Sequence, residues 1–155
     1  MNRVQLIQDV VYSSYAKIYN STIRIAAISH TSSVVNNATL FASFQKENVE
    51  LSQVAALLHD YALFCDNCLP TKHAQLSADF AEKLLSSCSL FSEEEIQLVV
   101  SCIRVHSEKE IIHSSFCEIL KDADLLAKYL EDPDQELKEH EKKRLKNAFE
   151  RFHLF

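Results

Sequence analysis

Three features of the 155-residue sequence predict an all-α fold. The chain contains no glycine and only two prolines. The missing glycine disfavours two-residue hairpins, which rely on that residue at positive φ. Apolar residues recur every three or four positions along most of the chain, the spacing of one helix face. The length suits one domain with a sizeable core, so we predict a single domain over residues 1–155 with about six to seven helices.

The first two predicted helices occupy the N-terminal third of the chain. The first is marked by apolar residues at helical spacing and is expected to end near Asn20; these residues are Val4, Ile7, Val11, Tyr15 and Ile18. The second is expected from about Thr22 to Phe44. It places His30 on or beside its core-facing stripe, so we expect that side chain to point inward.

The third predicted helix, from about Val49 to Phe64, contains the most informative pair of the chain, His59-Asp60. The pair closes an apolar run, where a buried helix has no evident need for two residues of metal-ligating type. A turn-rich segment, residues 65–70, follows this helix. The pattern therefore predicts a metal site near a helix end and a loop.

Two further helices are predicted around the next two histidines. Thr71 is expected to cap a helix that reaches about Ser87 and has His73 in its first turn. The segment Ser92-Glu93-Glu94-Glu95 matches a capping box, in which serine and glutamate satisfy free amides at a helix start. The helix that follows is expected to reach about His106.

The last two predicted helices contain the distal aspartates and the C-terminus. Ser115 and Glu118 repeat the capping-box pattern at the start of a helix to Leu130. Asp132-Pro133 then indicates the start of a helix over about residues 133–153. Its charged face is expected to be solvated. Its apolar residues are expected to dock it on the core: Leu137, Leu145, Ala148, Phe149 and Phe152.

Composition and charge exclude several classes of function. The net charge of −6 argues against a nucleic-acid partner, which usually requires a basic stripe. The missing glycine excludes phosphate-binding glycine loops. No run approaches the roughly 18 apolar residues that span a bilayer, and Asp9 interrupts any signal-peptide core. We expect no membrane partner, a cytoplasmic location, and a monomer or homodimer, to whose interface Phe152 or Phe155 would contribute.

Several cysteines and histidines are expected to have structural or surface roles. The five cysteines do not form a disulfide framework, and we expect them to be reduced. Cys65 and Cys68 lack the second pair that a zinc site needs. We expect the remaining histidines to lie on the surface: His113, His140 and His153.

The histidines and aspartates near His59-Asp60 predict a divalent-metal site. Imidazole nitrogens and carboxylates form a mixed ligand set that suits Mn, Fe, Co, Ni, Zn or Mg, so the metal stays open. Asp122 and Asp124 lie in an apolar stretch downstream. Periodicity does not choose between them, because they sit about 100° to either side of the apolar stripe of their helix.

The order of these motifs over about residues 24–130 resembles the HD superfamily of metal-dependent phosphohydrolases. Five segments are similar to the motifs of that family: His30-Thr31-Ser32-Ser33-Val34, Leu57-Leu58-His59-Asp60, His73-Ala74-Gln75-Leu76-Ser77-Ala78, Ile103-Arg104-Val105-His106-Ser107 and Asp122-Ala123-Asp124. The resemblance implies that one divalent metal is bound by His30, His59, Asp60 and Asp124. It also selects Asp124 over Asp122. In members that hold two metals, His73 and His106 would serve the second ion, with Asp60 as the bridge.

The resemblance implies hydrolysis of a small phosphorylated metabolite, for example a nucleotide, by metal-activated water. Asp60, His73, His106 and Lys109 are then the candidate catalytic or substrate-contacting residues. We favour Lys109 as the phosphate contact, because the loop after His106 can reach over the cleft; the other cations near the motifs are Lys72, Arg104, Lys121 and Lys128. Two alternatives remain, a non-catalytic regulatory HD module that binds a metal or nucleotide, and a di-iron oxygenase of HD type.

Overall fold

The computed structural model describes residues 2–152, and all of the regular structure in that range is helical. This confirms the predicted all-α fold class. In chain order the helices are α1 (Arg3–Tyr15), α2 (Ser21–Gln45), α3 (Val49–Leu58), α4 (Tyr61–Cys65), α5 (His73–Cys88), α6 (Glu93–Val105), α7 (Ser115–Glu131) and α8 (Glu139–Arg151). No helix in the described range combines the length and apolar character needed to cross a membrane.

The helix predicted over 49–64 is divided at the His59-Asp60 pair. His59 keeps helical dihedral angles at the end of α3, whereas Asp60 lies outside the helical region at φ −113° and ψ 16°. Ser77 of α5 then accepts a hydrogen bond from the Ala62 amide at 3.0 Å, so one of the free amides of α4 is satisfied by a side chain. The break turns two adjacent polar side chains toward the interior at a helix end.

Asparagine and serine side chains define most of the helix starts. Asn2, Asn20 and Asn48 each accept backbone amides at the beginning of α1, α2 and α3. The capping box that the sequence predicts between Ser92 and Glu95 is confirmed at the start of α6.

Two other predicted caps differ from the structure, one displaced and one absent. Ser114, rather than Ser115, caps α7 by accepting the Cys117 amide, while Glu118 accepts the amide of His113 in the preceding loop. Thr71 does not cap α5, which begins at His73 without a side-chain cap. The Ser115 hydroxyl instead donates to the Glu47 carboxylate after α2, a contact between distant residues that the local sequence does not report.

Two helices end in the left-handed conformation without glycine. Lys46 after α2 has φ 58° and Ser89 after α5 has φ 53°. Such C-terminal residues are usually glycine, because a Cβ makes the left-handed conformation unfavourable by about 1 kcal/mol. Since the sequence has no glycine, Lys46 and Ser89 adopt this left-handed conformation although each has a Cβ atom.

The long helix α2 lies at the centre of the fold. It packs against α3 on one side and α7 on another, while α5 packs mainly against α6. The apolar stripe of α2 contributes to one shared core, with Val34, Ala38 and Phe41 fully buried. The predicted inward direction of His30 is confirmed, because its residue exposure is 6%.

The C-terminal helix begins at Glu139, later than the predicted position near residue 133. The preceding segment folds back onto α7, where Gln135 donates a hydrogen bond to the Lys128 carbonyl at 2.7 Å. Phe152 is 3% exposed and stacks on Phe41 with 4.1 Å between ring centroids. It therefore docks the helix on the core as predicted, and the alternative expectation of an exposed dimer contact at Phe152 is wrong. Phe155 and His153 lie outside the described residues.

A disulfide between Cys102 and Cys117 joins α6 to α7. Both residues are buried, and α6 and α7 are in contact across the loop that connects them. The expectation that all five cysteines are reduced is therefore wrong for this pair. The two cysteines are 15 residues apart in sequence, and only the packing of α6 against α7 brings them together. Cys65, Cys68 and Cys88 are free thiols.

Candidate metal centre

Four buried side chains from three parts of the fold converge on one point. Each offers one ligand atom, and these atoms lie within 4.8 Å of one another: His30 of α2, His59 at the end of α3, Asp60 in the break and Asp124 of α7. His30 Nε2 lies 3.2 Å from Asp124 Oδ1, and His59 Nε2 lies 3.3 Å from Asp60 Oδ2. The structure thus brings together the four residues that the resemblance implies as ligands of one metal.

Three buried atoms of this cluster have no hydrogen-bond partner among the described residues: His30 Nε2, His59 Nε2 and Asp124 Oδ1. Buried polar atoms without partners are uncommon in folded proteins, since each loses its hydration. Two imidazole nitrogens and a carboxylate oxygen that face one another form a donor set for a divalent cation. The residues present therefore fit a metal ion.

The tautomers of three histidines are set by backbone carbonyls. In each case Nδ1 lies within hydrogen-bond distance of the carbonyl oxygen three residues earlier; the pairs are His59 with Ala56, His73 with Pro70 and His106 with Ile103. An Nδ1–H that donates to a carbonyl leaves the Nε2 lone pair free for a metal. All three rings therefore present Nε2 to the centre.

His30 differs from the other three histidines because a side chain holds its ring. Its Nδ1 lies 3.0 Å from Oε1 of Glu131. Glu131 is at the end of α7, seven residues after Asp124, so two helical turns place both carboxylates toward α2. Sequence reasoning missed Glu131, and the only available signal was this seven-residue spacing.

Asp60 connects the first cluster to a second. Its Oδ1 lies 3.1 Å from His106 Nε2 and 3.2 Å from His73 Nε2, whereas its Oδ2 faces His30 and His59. Asp60, His73 and His106 form a second group whose ligand atoms lie within 4.8 Å of one another. Asp60 therefore contributes one carboxylate oxygen to each of the two groups.

The other oxygen of Asp124 is held by two lysines. Lys109 Nζ donates to Oδ2 at 2.6 Å and Lys128 Nζ at 3.0 Å. Lys109 also donates to the carbonyl of His106 at 2.8 Å, and its side chain is 5% exposed. Lys109 therefore points into the protein behind Asp124 and does not reach over the cleft, in contrast to the sequence expectation.

Asp122 faces away from the cluster. Its Oδ1 accepts a hydrogen bond from Arg144 Nη1 at 2.9 Å, and Arg151 Nη1 lies 3.4 Å from its Oδ2. Asp122 and Asp124 are two positions apart on α7, about 200° around the helix, so only one of them can face α2 and α3. The structure places Asp124 there, as the resemblance implies.

Electrostatics favour the charge states that metal binding requires at Asp60, Asp124 and His106. At His30 and His73, by contrast, burial lowers the pKa but neighbouring carboxylates outweigh this effect, so the net pKa is raised. Burial raises the pKa of Asp60, but the neighbouring histidines outweigh this effect and the net pKa lies well below the ordinary value. Burial also raises the pKa of Asp124, and the charges of Lys109 and Lys128 again shift it well below the ordinary value. Burial lowers the pKa of His106 to about 4, so its ring is neutral at pH 7.

A cavity of about 500 Å³ lies beside the first cluster. His30 and Asp60 of the first cluster line it, as do Lys128 and Glu131 of α7. The remaining lining residues are uncharged and come from α2 and α4: Thr22, Ile25, Ala26, Ser29, Leu63 and Phe64. The cavity can therefore place a small organic molecule next to the candidate metal centre.

Five cationic residues were candidate phosphate contacts from the sequence, and of these Lys128 alone lines this cavity. Lys121 is buried and paired with Glu118 and His113, and Arg104 lies 3.8 Å from Asp79. Lys72 is exposed before α5. The side chain of Lys128 is 44% exposed, so its ammonium can contact both Asp124 and a bound molecule.

The helical fold and the buried cluster define a class, all-α proteins that enclose a histidine and aspartate site for a metal ion. The sequence model of the HD domain matches residues 27–129, and the chain belongs to the HD domain family. Membership implies that it binds a divalent metal.

One solved structure gives a further comparison. The chain is similar to a predicted HD superfamily hydrolase from an uncultured Thermotogales bacterium, with 28% sequence identity and a TM-score of 0.67. The match covers 94% of this chain and 84% of that chain. No curated protein gives a significant match to the sequence.

Proposed function

We propose that this protein is a metal-dependent phosphohydrolase that releases phosphate from a small phosphorylated metabolite. The observation that carries the proposal is the convergence of three buried atoms beside a cavity of about 500 Å³. These atoms have no hydrogen-bond partner within residues 2–152: His30 Nε2, His59 Nε2 and Asp124 Oδ1. Family membership supports it, as does the similarity to the Thermotogales protein, which is described as a hydrolase.

Different side chains would bind the metal, orient the ligand Asp124 and contact the phosphoryl group. A divalent ion at this site would lower the pKa of a coordinated water and offset the charge of the phosphoryl group. His30, His59, Asp60 and Asp124 would hold it, and Asp60 with His73 and His106 would hold a second. Lys109 and Lys128 fix the orientation of Asp124 through Oδ2, and Lys128 faces the cavity, where it would bind a phosphoryl oxygen.

Metal analysis and a phosphate-release assay of wild-type protein and Asp60→Ala test this proposal. Mn, Mg, Co and Fe are added separately to a set of phosphorylated metabolites. We expect one or two ions per chain and phosphate release for the wild type, with loss of both in the variant. A count of two assigns His73 and His106 to a second ion, and a count of one assigns them to substrate contact. Metal-free, inactive wild-type protein would contradict the proposal.

The bridging position of Asp60 also favours a second candidate, a di-iron oxygenase. A carboxylate shared by two groups of histidine ligands suits two iron ions as well as a hydrolytic pair. Iron retained through purification together with consumption of oxygen would favour oxidation, whereas phosphate release that is independent of oxygen favours hydrolysis. Binding of a metal and a nucleotide with neither reaction would indicate a regulatory module.

A further inference from the structure

The cavity beside the metal centre offers few positively charged groups to a bound molecule. Lys128 is the one cation among its described lining residues, and it is already 3.0 Å from Asp124 Oδ2. Glu131 supplies a carboxylate on the same side, with its side chain 40% exposed. The metal centre would offset the charge of the one phosphoryl group that it holds. Any further phosphoryl groups in the cavity would meet only the Lys128 ammonium and the Glu131 carboxylate among the described lining residues, and they would keep uncompensated negative charge.

The uncharged part of the cavity lining is mainly apolar. Ile25 of α2 is 66% exposed although it faces the cavity, and Leu63 and Phe64 of α4 complete the surface. An apolar group that covers such a wall gains about 25 cal/mol per Å² removed from water. The ring of Phe64 also offers a face for an aromatic partner. These walls favour an uncharged apolar or aromatic group next to the phosphoryl position.

We propose that the substrate is a phosphomonoester whose organic part is uncharged and apolar or aromatic, and that this cavity discriminates against polyphosphates. The inference rests on the proposed function and names its substrate class. In the reaction, the oxygen of water bonds to phosphorus and the ester P–O bond breaks. The leaving oxygen of the organic part takes up a proton from water, so no oxidant or other co-reactant is required.

The first test compares kcat/KM for three probes under one metal condition, namely 1-naphthyl phosphate, ATP and inorganic pyrophosphate. A mismatch in charge compensation of one or two ionic contacts corresponds to about a tenfold to hundredfold preference. We expect 1-naphthyl phosphate to be favoured by that factor over both other probes. Equal or higher kcat/KM for ATP or pyrophosphate would overturn the inference.

The second test changes the apolar wall without touching the metal centre. Ile25→Arg removes an apolar contact and adds a cation, and the exposure of Ile25 makes the change compatible with folding. We expect the preference for 1-naphthyl phosphate over ATP to fall by about tenfold. Leu40→Arg is the matched control, because Leu40 lies on the same helix, is 40% exposed and does not line the cavity. An unchanged preference in Ile25→Arg would contradict the proposed wall.

A binding measurement separates the organic subsite from catalysis. Free 1-naphthol should inhibit competitively, and Ile25→Arg should raise its inhibition constant about tenfold while Leu40→Arg leaves it unchanged. If phosphate is released from ATP in preference to the monoester, this inference fails and the proposed function stands. If no probe and no phosphorylated metabolite releases phosphate with any metal, the proposed function fails first.

Discussion

At the scale of single residues, the candidate centre depends on atoms that hold the ligands in place. Backbone carbonyls orient His59, His73 and His106, and their positions follow from the course of the main chain. His30 instead depends on Glu131, a partly exposed side chain 101 residues away in sequence. The orientation of His30 is therefore the one most easily altered by mutation.

Glu131→Ala should weaken metal binding about tenfold to hundredfold, which is the usual effect of removing a carboxylate partner of a metal-binding histidine. Glu131→Gln should retain most of the affinity, because its amide oxygen can still accept from Nδ1 of His30. Titration with Mn²⁺ measures the dissociation constants, and exposed Asp134→Ala serves as the control. An unchanged constant in Glu131→Ala would show that the His30 ring is held without this contact.

Asn substitutions at the two aspartates of α7 should have opposite effects. Asp124→Asn should abolish binding of the first metal, since its Oδ1 faces His30 and His59. Asp122→Asn should retain the metal but lower the free energy of unfolding by about 1–3 kcal/mol, because Arg144 loses a buried charged acceptor. Metal analysis and urea denaturation measure the two effects. Loss of metal in Asp122→Asn alone would reverse the assignment.

At the scale of elements, the guanidinium of one arginine forms ion pairs that link the N-terminal helix α1 to both α3 and α6. Arg3 of α1 forms ion pairs with Glu50 of α3 and Glu95 of α6, the latter at 2.8 Å. Glu95 also belongs to the capping box of α6, so one carboxylate serves a helix start and a contact between helices. The bond with Arg3 lowers the pKa of both glutamates.

Arg3→Ala should lower the free energy of unfolding by about 1–2 kcal/mol at pH 7, as expected for a partly exposed ion-pair network. Because the folded-state pKa of each glutamate is depressed, this contribution is complete above the ordinary pKa of about 4.3 and declines as pH falls through the lower folded-state values. The difference between wild type and Arg3→Ala should therefore shrink at pH 3. Urea denaturation measures it, with exposed Lys83→Ala as the charge control. A difference that is constant with pH would contradict the pairing.

At the scale of the whole molecule, the metal centre joins elements that are distant in sequence. The first cluster takes residues from α2, from the break between α3 and α4, and from α7, and the second adds α5 and the end of α6. An ion bound to all of them stabilises the folded state, because the unfolded chain does not assemble the same ligands.

Saturating Mn²⁺ should therefore raise the stability of the wild type by about 3–4 kcal/mol at a hundred to a thousand times Kd. This corresponds to a rise in Tm of roughly 6–16 °C, at about 2–4 °C per kcal/mol. Asp60→Ala should show no such rise, whereas Asp134→Ala should behave as the wild type. Thermal denaturation with Mn²⁺ and with a chelator measures the shift. An equal rise in Asp60→Ala would place the stabilising ion elsewhere.

The sequence by itself determined the fold class and, through the resemblance to the HD superfamily, the expected members of the cluster. The missing glycine and the helical spacing of apolar residues predict helices, because both act through local backbone preferences. The capping box at Ser92 is equally local. The ordered histidine and aspartate motifs predicted which side chains meet, and the structure brings the six of them together: His30, His59, Asp60, His73, His106 and Asp124.

Only the tertiary structure decided the contacts between residues far apart in sequence. It directed Asp122 toward Arg144, buried Lys109 behind Asp124, and left Lys128 at the cavity. It also paired His30 with Glu131 and joined Cys102 to Cys117. Periodicity reports which face of a helix is apolar, whereas these contacts depend on how neighbouring helices are rotated and spaced when the shared core packs.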